Sequence, residues 1–346
     1  MAFYFNEDAR VHINLSNYAW NIIHEDMFVF CRDDLANLSG FINDIILSYY
    51  QEADASIQSR CDEIASNYEQ LLSEESVNMK IDPSIQYSVI DVVTRSFKNR
   101  VIDKINSYPK DKYKKIKLRK NVAEILLDSQ ECSFYEDNVS NYIKAIIEEF
   151  VRLPFLKRES IICKENHDLI EKAIHSHRRL KIIVGTKKEF EVIPYQITTD
   201  KLGMFNYLIG IDVNTKQPVS YRISRLKIKL SSKIGKIDKT YEEAILSKLA
   251  IVDASFLTKE TERIVVRFDS YGLSRYNNQL HMRPQYIEQL DDNCFVFNCS
   301  TDQAKFYFLK FGSSAVILEP EWLSKSFRNF YNYALQRYND YLDSNK

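Results

Sequence analysis

The chain has 346 residues, of which 45% are hydrophobic and 27% charged, and its formal net charge at pH 7 is −1. This length exceeds one ordinary hydrophobic core and predicts two or three domains. The near-zero net charge excludes a globally basic protein, so any nucleic-acid site must be a local basic patch. No apolar run reaches the roughly 18 residues that a membrane span needs, and the start lacks a signal-peptide pattern, which favours a cytoplasmic protein without membrane contact.

The first predicted elements are a strand and two helices within residues 10–50. Apolar and polar residues alternate along the strand, so every second side chain should face away from the core. These outward side chains are Arg10, His12 and Asn14. Ser16 can cap the first helix, and the second helix begins near Asn37. This order of elements is typical of one half of a ribbon-helix-helix unit.

The same pattern recurs within residues 114–152. Lys115–Leu118 matches His12–Leu15 at an offset of 103 residues, and residues 138–147 match residues 37–46 at an offset of 101. We expect the two strands to pair as an antiparallel ribbon, because an isolated strand is not stable. The outward residues of the second strand would be Lys115, Lys117 and Arg119. Such a ribbon fits the DNA major groove, so its polar face could contact nucleic acid or could be a solvated face of an assembly element.

Helices are predicted between and after the two half-units. Residues 52–106 have helical spacing of apolar residues and divide around Asp82-Pro83, and Ser107–Lys110 ends the second of these helices. Pro154 breaks the chain after the second half-unit, so the helical N-terminal domain is predicted to span residues 1–158. Residues 161–176 are predicted to form a helix that leads into the next domain.

Short strands separated by polar turns are predicted from residue 180 onward, with Phe190–Ile193 and Tyr195–Ile197 as separate strands. Residues 212–216 should form the turn of a hairpin between Phe205–Ile211 and Val219–Ile228. Arg222 and Arg225 are three residues apart, which places them on opposite faces of a straight strand, but a bulge or a strand end could bring them together.

Asn206-Tyr207-Leu208 together with Ser220–Leu226 resembles the WYL domain, a small Sm-like β-barrel found in bacterial regulators and CRISPR-associated proteins. Asn206 stands where the family has tryptophan. The resemblance implies a WYL domain over residues 159–258 whose barrel face binds a nucleotide or nucleic acid, with arginines on phosphates and tyrosines as support or stacking groups. The implied binding residues are Tyr195, Tyr207, Tyr221, Arg222 and Arg225, approached by the basic residues Arg178, Arg179 and Lys181.

Strands and helices alternate again in residues 259–346. Arg263–Phe268, Cys294–Phe297 and Ala315–Leu318 are predicted strands, Thr301–Leu309 is a predicted helix, and a final helix from Glu319 has an aromatic face. This region resembles the βαββα extension that follows many WYL barrels and serves in dimerisation, which implies a homodimer. The predicted fold is therefore an α+β multidomain protein with a ribbon-helix-helix-like domain, an Sm-like barrel and a βαββα dimerisation module.

The whole chain resembles the WYL-domain accessory proteins of type VI-D CRISPR-Cas systems, which stimulate an RNA-guided RNA nuclease. The resemblance implies that single-stranded RNA and that nuclease are its partners. The alternative is a transcription regulator whose ribbon binds DNA and whose barrel senses a nucleotide.

Catalytic and metal-binding signatures are missing from the sequence. It has no Gly-rich phosphate loop, no Gly-x-Ser-x-Gly and no His-Glu-x-x-His motif, and its six cysteines lack metal-ligand spacing. We therefore expect neither an enzyme nor a cofactor or metal site.

Overall fold

A computed structural model describes residues 10–30, 37–79, 82–128, 138–184 and 188–344. The chain divides into two compact units, Met1–Lys164 and Glu165–Lys346. Over the described residues, the fold is mixed α+β with eleven α-helices and three antiparallel sheets, none of which closes into a barrel. Of the described helices, none combines the length and the apolar character that crossing a membrane requires. The division into three domains stays a prediction.

The N-terminal unit contains the strand-helix-helix order twice. The first half-unit consists of β1 (Arg10–Leu15), α1 (Asn17–Phe30) and α2 (Leu38–Met79), and α3 (Pro83–Ser107) follows it. The second half-unit consists of β2 (Lys112–Lys117), α4 (Lys120–Asp128) and α5 (Val139–Phe150), and α6 (Phe155–Ile162) follows it. Both predicted strands and the helices after them are therefore present at the predicted places.

Two helix boundaries differ from the predicted ones. Helix α2 is 42 residues long and continues past residue 50, where the half-unit was expected to end. Its sequence has no glycine or proline between Gly40 and Pro83, so nothing local stops the helix earlier. The helix predicted over residues 161–176 is instead divided between α6 and α7 (Lys164–His175).

The two strands pair as an antiparallel ribbon, with Arg10 opposite Lys117 and His12 opposite Lys115. The inward side chains Ile13, Leu15 and Ile116 are fully buried, as their alternation predicts. The duplication extends to the helix caps, because the Asn37 and Asn138 side chains each accept a hydrogen bond from the backbone three residues later, at 2.6 Å and 3.2 Å. The Ser16 hydroxyl caps α1 in the same way at 3.1 Å, as predicted.

Each half-unit holds the strand of the other. In α5, the Ser140 hydroxyl donates to the His12 carbonyl of β1. In α2, the Asn43 amide donates to the Lys117 carbonyl of β2 at 2.9 Å and accepts from the Arg119 backbone N–H at 2.8 Å. The ribbon is therefore fixed from both sides, and neither half-unit is complete without the other.

The C-terminal unit begins with α7 and then forms a five-stranded antiparallel sheet. Its strands are β3 (Arg178–Val184), β4 (Lys188–Thr199), β5 (Asn206–Asp212), β6 (Pro218–Arg222) and β7 (Leu226–Ile234). The strand order is β6-β5-β4-β3-β7, and helix α8 (Lys239–Ile251) follows. The predicted hairpin between β5 and β6 is present, with the turn at residues 213–217.

The predicted Sm-like barrel is an open sheet, because its edge strands β6 and β7 do not pair with each other. They are nevertheless consecutive in the chain and are joined by a single 3-10 turn, Ile223–Arg225. Three residues of 3-10 helix span only about 6 Å. The sheet must therefore curl until its two edges approach at this corner.

Two irregularities divide the strands differently from the prediction. Phe190–Ile193 and Tyr195–Ile197 belong to one strand, β4, and the register shift after Pro194 marks a bulge. A bulge tolerates proline within a strand because no ladder hydrogen bond is required there. In the other direction, the predicted strand Val219–Ile228 is interrupted by the 3-10 turn.

The remaining sheet has four strands in the order β11-β8-β10-β9. Its elements are β8 (Glu262–Phe268), α9 (Ser270–Asn278), β9 (Tyr286–Asp291), β10 (Cys294–Cys299), α10 (Thr301–Phe308), β11 (Ala315–Glu319) and α11 (Glu321–Ser344). The predicted βαββα module thus has a further strand and helix at its end. The β-α-β-β-α-β portion has the element order of the ferredoxin-like motif.

A buried ion pair connects α1 to α6 in the N-terminal unit. The Arg158 guanidinium donates to both carboxylate oxygens of Asp26, at 2.6 Å and 3.0 Å, and to the Leu153 carbonyl at 2.5 Å. Burial raises the pKa of Asp26, although the hydrogen bonds and the charge of Arg158 oppose that shift. Because desolvation is costly for both partners, the pair tolerates the loss of neither one alone.

We predict that Arg158→Met lowers the free energy of unfolding of the N-terminal unit by about 3–5 kcal/mol, because Asp26 is left as a buried carboxylate without its partner. Lys157→Met is the matched control. Lys157 makes an ion pair with Glu52 at 3.1 Å in which both side chains are largely exposed, so its loss should cost less than about 1 kcal/mol.

The measurement is urea unfolding followed by tryptophan fluorescence. The chain has two tryptophans, Trp20 in the N-terminal unit and Trp322 in the other. In a Trp322→Phe background the signal therefore reports on the N-terminal unit alone. Equal losses of unfolding free energy in the two variants would show that the buried ion pair stabilises the unit no more than the exposed one does.

Candidate nucleic-acid interface

Arg222 is held at the end of β6 by two contacts. Its guanidinium carbon lies 3.2 Å from the centre of the Phe205 ring, and its Nε donates to the Ser224 hydroxyl at 2.8 Å. The strand ends at Arg222, and Arg225 lies in the 3-10 turn that follows. A strand end therefore lies between the two arginines, and the convergence of their side chains stays a prediction.

The strand register explains the contact with Phe205. Tyr207 pairs with Arg222, so the two side chains share a face of the sheet. Phe205 precedes Tyr207 by two residues and continues on that face. Phe205 was predicted only as part of a strand, and its position under the arginine was not predicted, although the two-residue spacing from the paired tyrosine was available as a signal.

A short loop before β5 positions Phe205. The Asp200 carboxylate accepts the backbone N–H of Met204 at 2.7 Å, and the Asp200 backbone N–H donates to the Phe205 carbonyl at 3.3 Å. The Asp253 carboxylate accepts the Lys201 N–H at 2.9 Å. Burial raises the pKa of Asp200. These bonds close the loop on itself and fix the ring that supports Arg222.

The three predicted tyrosines have different surroundings. Tyr207 is 8% exposed and belongs to a core cluster of the sheet and α8, which suits a supporting role. Tyr221 is half-buried beside the Phe190 ring at 6.4 Å, and burial raises its pKa. The Tyr195 hydroxyl donates to Glu242 at 2.9 Å, a bond that raises the tyrosine's pKa. Asn206, in the family's tryptophan position, is buried.

Basic side chains in the turn before the edge strand β7 and along that strand form a strip, of which the site prediction included only Arg225. Arg225, Lys227 and Lys229 are exposed and alternate with the buried Leu226 and Ile228. In the described part of the chain none of the three cations has an acidic partner. Successive side chains on one face of a strand lie about 6.6 Å apart, a distance comparable to the phosphate separation along an extended single strand of nucleic acid. We call these three residues the β7 strip.

The basic approach residues on β3 are largely paired with acids. Lys181 forms an ion pair with Glu189 at 3.2 Å, and Arg179 forms one with Glu191 at 3.3 Å. Lys233 of β7 also contacts Glu191 at 3.0 Å, and Lys233 and Arg179 together lower the pKa of the Glu191 carboxyl. Arg178 is exposed at the start of β3. The register of β3 with β4 creates these pairs, so the charge available for a phosphate shifts from β3 to the β7 strip.

The second candidate surface is the outward face of the ribbon. Its members are Arg10, His12, Asn14, Tyr113, Lys115 and Lys117. Tyr113 was not predicted; it is 61% exposed and its ring lies 5.1 Å from that of His12. The face contains four basic or imidazole side chains and no acid. It has the composition of a phosphate-contacting surface.

Arg119 does not belong to this face. Its guanidinium bonds to the Asp44 carboxylate and donates to the Gly40 carbonyl at 3.4 Å, both in α2. Because the chain leaves the ribbon after Lys117, the alternation that predicted an outward Arg119 no longer applies. The residue therefore attaches the end of the ribbon to α2.

Within the described residues, no group of three or more His, Cys, Asp or Glu side chains could hold a metal ion. Cys294 and Cys299 are free, buried thiols, and Cys163 is buried as well. The other three cysteines, Cys31, Cys61 and Cys132, fall where the structure describes no side chain.

Comparison with known proteins gives an extensive structural similarity. The chain is similar to a CRISPR Cas-related protein of known crystal structure, with a TM-score of 0.72 and 21% identity over 98% of this chain and 96% of that one. A further match is the proteasome accessory factor B/C (PafBC) of Arthrobacter aurescens, at 14% identity and a TM-score of 0.29, over 65% of this chain and 37% of that one. No protein-family model matches the sequence. No curated protein matches it either. The first similarity establishes a shared fold, and the second is too low to carry an argument.

Proposed function

We propose that this chain is an RNA-binding accessory protein that binds single-stranded RNA through its C-terminal unit and stimulates an RNA-guided type VI-D CRISPR nuclease. The observation that carries the proposal is the pairing of an arginine stacked on an aromatic ring with a strip of exposed, unpaired cations beside it. Cationic grooves combined with aromatic platforms are what single-strand binders use. The fold shared with a CRISPR Cas-related protein supports the choice of system.

In this proposal the β7 strip follows the phosphates and Arg222 contacts the RNA at the corner where the sheet edges meet. The chain itself contributes no cleavage chemistry. A protein of this kind would act by delivering or retaining RNA near the nuclease, and its binding should weaken steeply with salt.

The proposal includes a homodimer that forms through α11. Only Leu323 and Phe327 of this 24-residue helix are buried. Beyond them the helix carries exposed aromatic side chains, among which Phe330, Tyr338 and Tyr341 are 51%, 71% and 66% exposed. Such a patch supports an interaction surface.

The double substitution Arg222→Ala plus Arg225→Ala should weaken binding of single-stranded RNA roughly 100-fold, because two arginine contacts to the RNA are lost. Binding is measured by fluorescence anisotropy, and stimulation by the rate at which the guide-loaded nuclease cleaves labelled RNA. Both should fall together, and the accessory protein alone with divalent metal should cleave nothing. Arg263→Ala plus Arg267→Ala is the control, since these exposed arginines lie on β8 beside the acids Glu319 and Asp291. Unchanged RNA binding by the Arg222→Ala plus Arg225→Ala variant would show that these two arginines are not part of the binding site.

The β7 strip and the β3 approach can be compared at equal charge. Lys227→Gln plus Lys229→Gln should reduce the slope of log affinity against log salt by about 1.4, since each single-strand phosphate contact contributes about 0.7. Arg179→Gln plus Lys181→Gln removes the same charge from β3 residues already paired with Glu191 and Glu189. That control should change the slope much less. Equal changes in the slope would show that the β3 cations contact the phosphates as much as the β7 strip does.

A second function, duplex DNA binding by the ribbon, is favoured by the ribbon's acid-free outward face. Asn14→Ala plus Lys117→Ala should then abolish a footprint on duplex DNA selected from a random library, because these groups can reach base edges and phosphates. The Arg222→Ala plus Arg225→Ala variant is the reciprocal control and should leave the footprint intact. Loss of the footprint only in the arginine variant would exclude the ribbon as the DNA-binding element.

A further inference from the structure

Arg222 is stacked flat on Phe205 and not simply close to it. A guanidinium that pointed its N–H groups at the ring would place the nitrogens nearest and the central carbon farther away. The central carbon is instead 3.2 Å from the ring centre, shorter than an ordinary carbon contact of about 3.5–4.0 Å. Only a face-to-face arrangement brings it this near.

The orientation of the guanidinium plane is also fixed. Its Nε donates to the hydroxyl of Ser224, a buried residue of the 3-10 turn, at 2.8 Å. Phe205 is itself held by the loop that Asp200 closes. Arg222 therefore has a ring beneath it and a hydrogen bond in its plane, while part of its side chain stays exposed.

A cation held in this way is poorly arranged for the usual forked contact with phosphate. One of its donors is already used by Ser224, and its plane is parallel to the Phe205 ring. An arginine plane is, however, a good surface on which an unpaired nucleobase can stack, and such stacking is common in single-strand recognition. The arrangement would form a three-layer stack of ring, guanidinium and base.

We infer that Arg222, supported by Phe205, is a stacking platform for a nucleobase of the bound single strand, whereas Arg225 and the lysines of the β7 strip contact the phosphates. This inference rests on the proposed function and assigns the contacts within that site. It predicts that the site binds bases as well as charge.

The test compares two probes of equal charge, a 12-nucleotide oligoadenylate RNA and a 12-unit abasic ribose-phosphate oligomer. The intact protein should bind the oligoadenylate roughly 10-fold more tightly, because a stacked base adds to the phosphate contacts. Arg222→Lys keeps the positive charge but has no plane. It should lose most of this preference by weakening oligoadenylate binding alone, and Phe205→Leu should act in the same direction.

Arg225→Lys is the matched control and should leave the preference unchanged, because its role needs only charge. Thermal unfolding of each variant confirms that the fold is retained. If Arg222→Lys weakens both probes equally, or neither, Arg222 is not a base platform. If the intact protein binds both probes equally well, the platform is wrong and RNA binding stands. If it binds neither probe, the proposed function fails and the platform fails with it.

Discussion

The three-residue turn between β6 and β7 is the constraint on which the C-terminal site depends. These strands lie at opposite edges of the five-stranded sheet, yet Ile223–Arg225 must connect them. The Ile223 side chain is fully buried, and the Asn166 amide donates to the carbonyls of Ile223 and Leu226 at 3.4 Å and 3.0 Å. The turn is therefore anchored by an apolar contact and by hydrogen bonds from α7. Arg222, Ser224 and Arg225 take their positions from it, and the basic edge strand begins immediately after it.

The distribution of charge on the five-stranded sheet follows from the register of its strands. Glu189 and Glu191 on β4 lie beside β3 and neutralise cations there, and Glu191 also pairs with Lys233 near the end of β7. Arg225, Lys227 and Lys229 have no acidic partner among the described residues. The β3 strand and the β7 strip are thus both rich in basic residues, but the cations of β3 are largely paired with acids and those of the strip are not. An edge strand also benefits from exposed lysines because they oppose pairing with another strand, so the same charges both protect the edge and present a surface to an anion.

Local periodicity was sufficient to predict much of the fold. The alternation in Arg10–Leu15 gave the correct inward residues, and the recurrence of that pattern at Lys115–Leu118 predicted the partner strand of the ribbon. Local patterns could not reveal the contacts that depend on register or on a distant element. The ion pairs of Lys181 and Arg179, the stack of Arg222 on Phe205 and the bond of Arg119 to Asp44 all belong to this second group. The barrel was an expectation from the family resemblance, and the strand pattern in the sequence does not reveal whether the edge strands pair.

The hydrogen bonds between the two half-units also determine how the ribbon responds to dilution of the protein. A ribbon built from two separate chains dissociates on dilution, whereas both strands of this ribbon belong to one chain and meet at a high effective concentration. Ser140 and Asn43 fix the strands within that single molecule. The ribbon should consequently be intact at any abundance of the protein. Because no symmetry relates its strands, one strand can carry His12 and Asn14 while the other carries lysines, and each can change independently of the other.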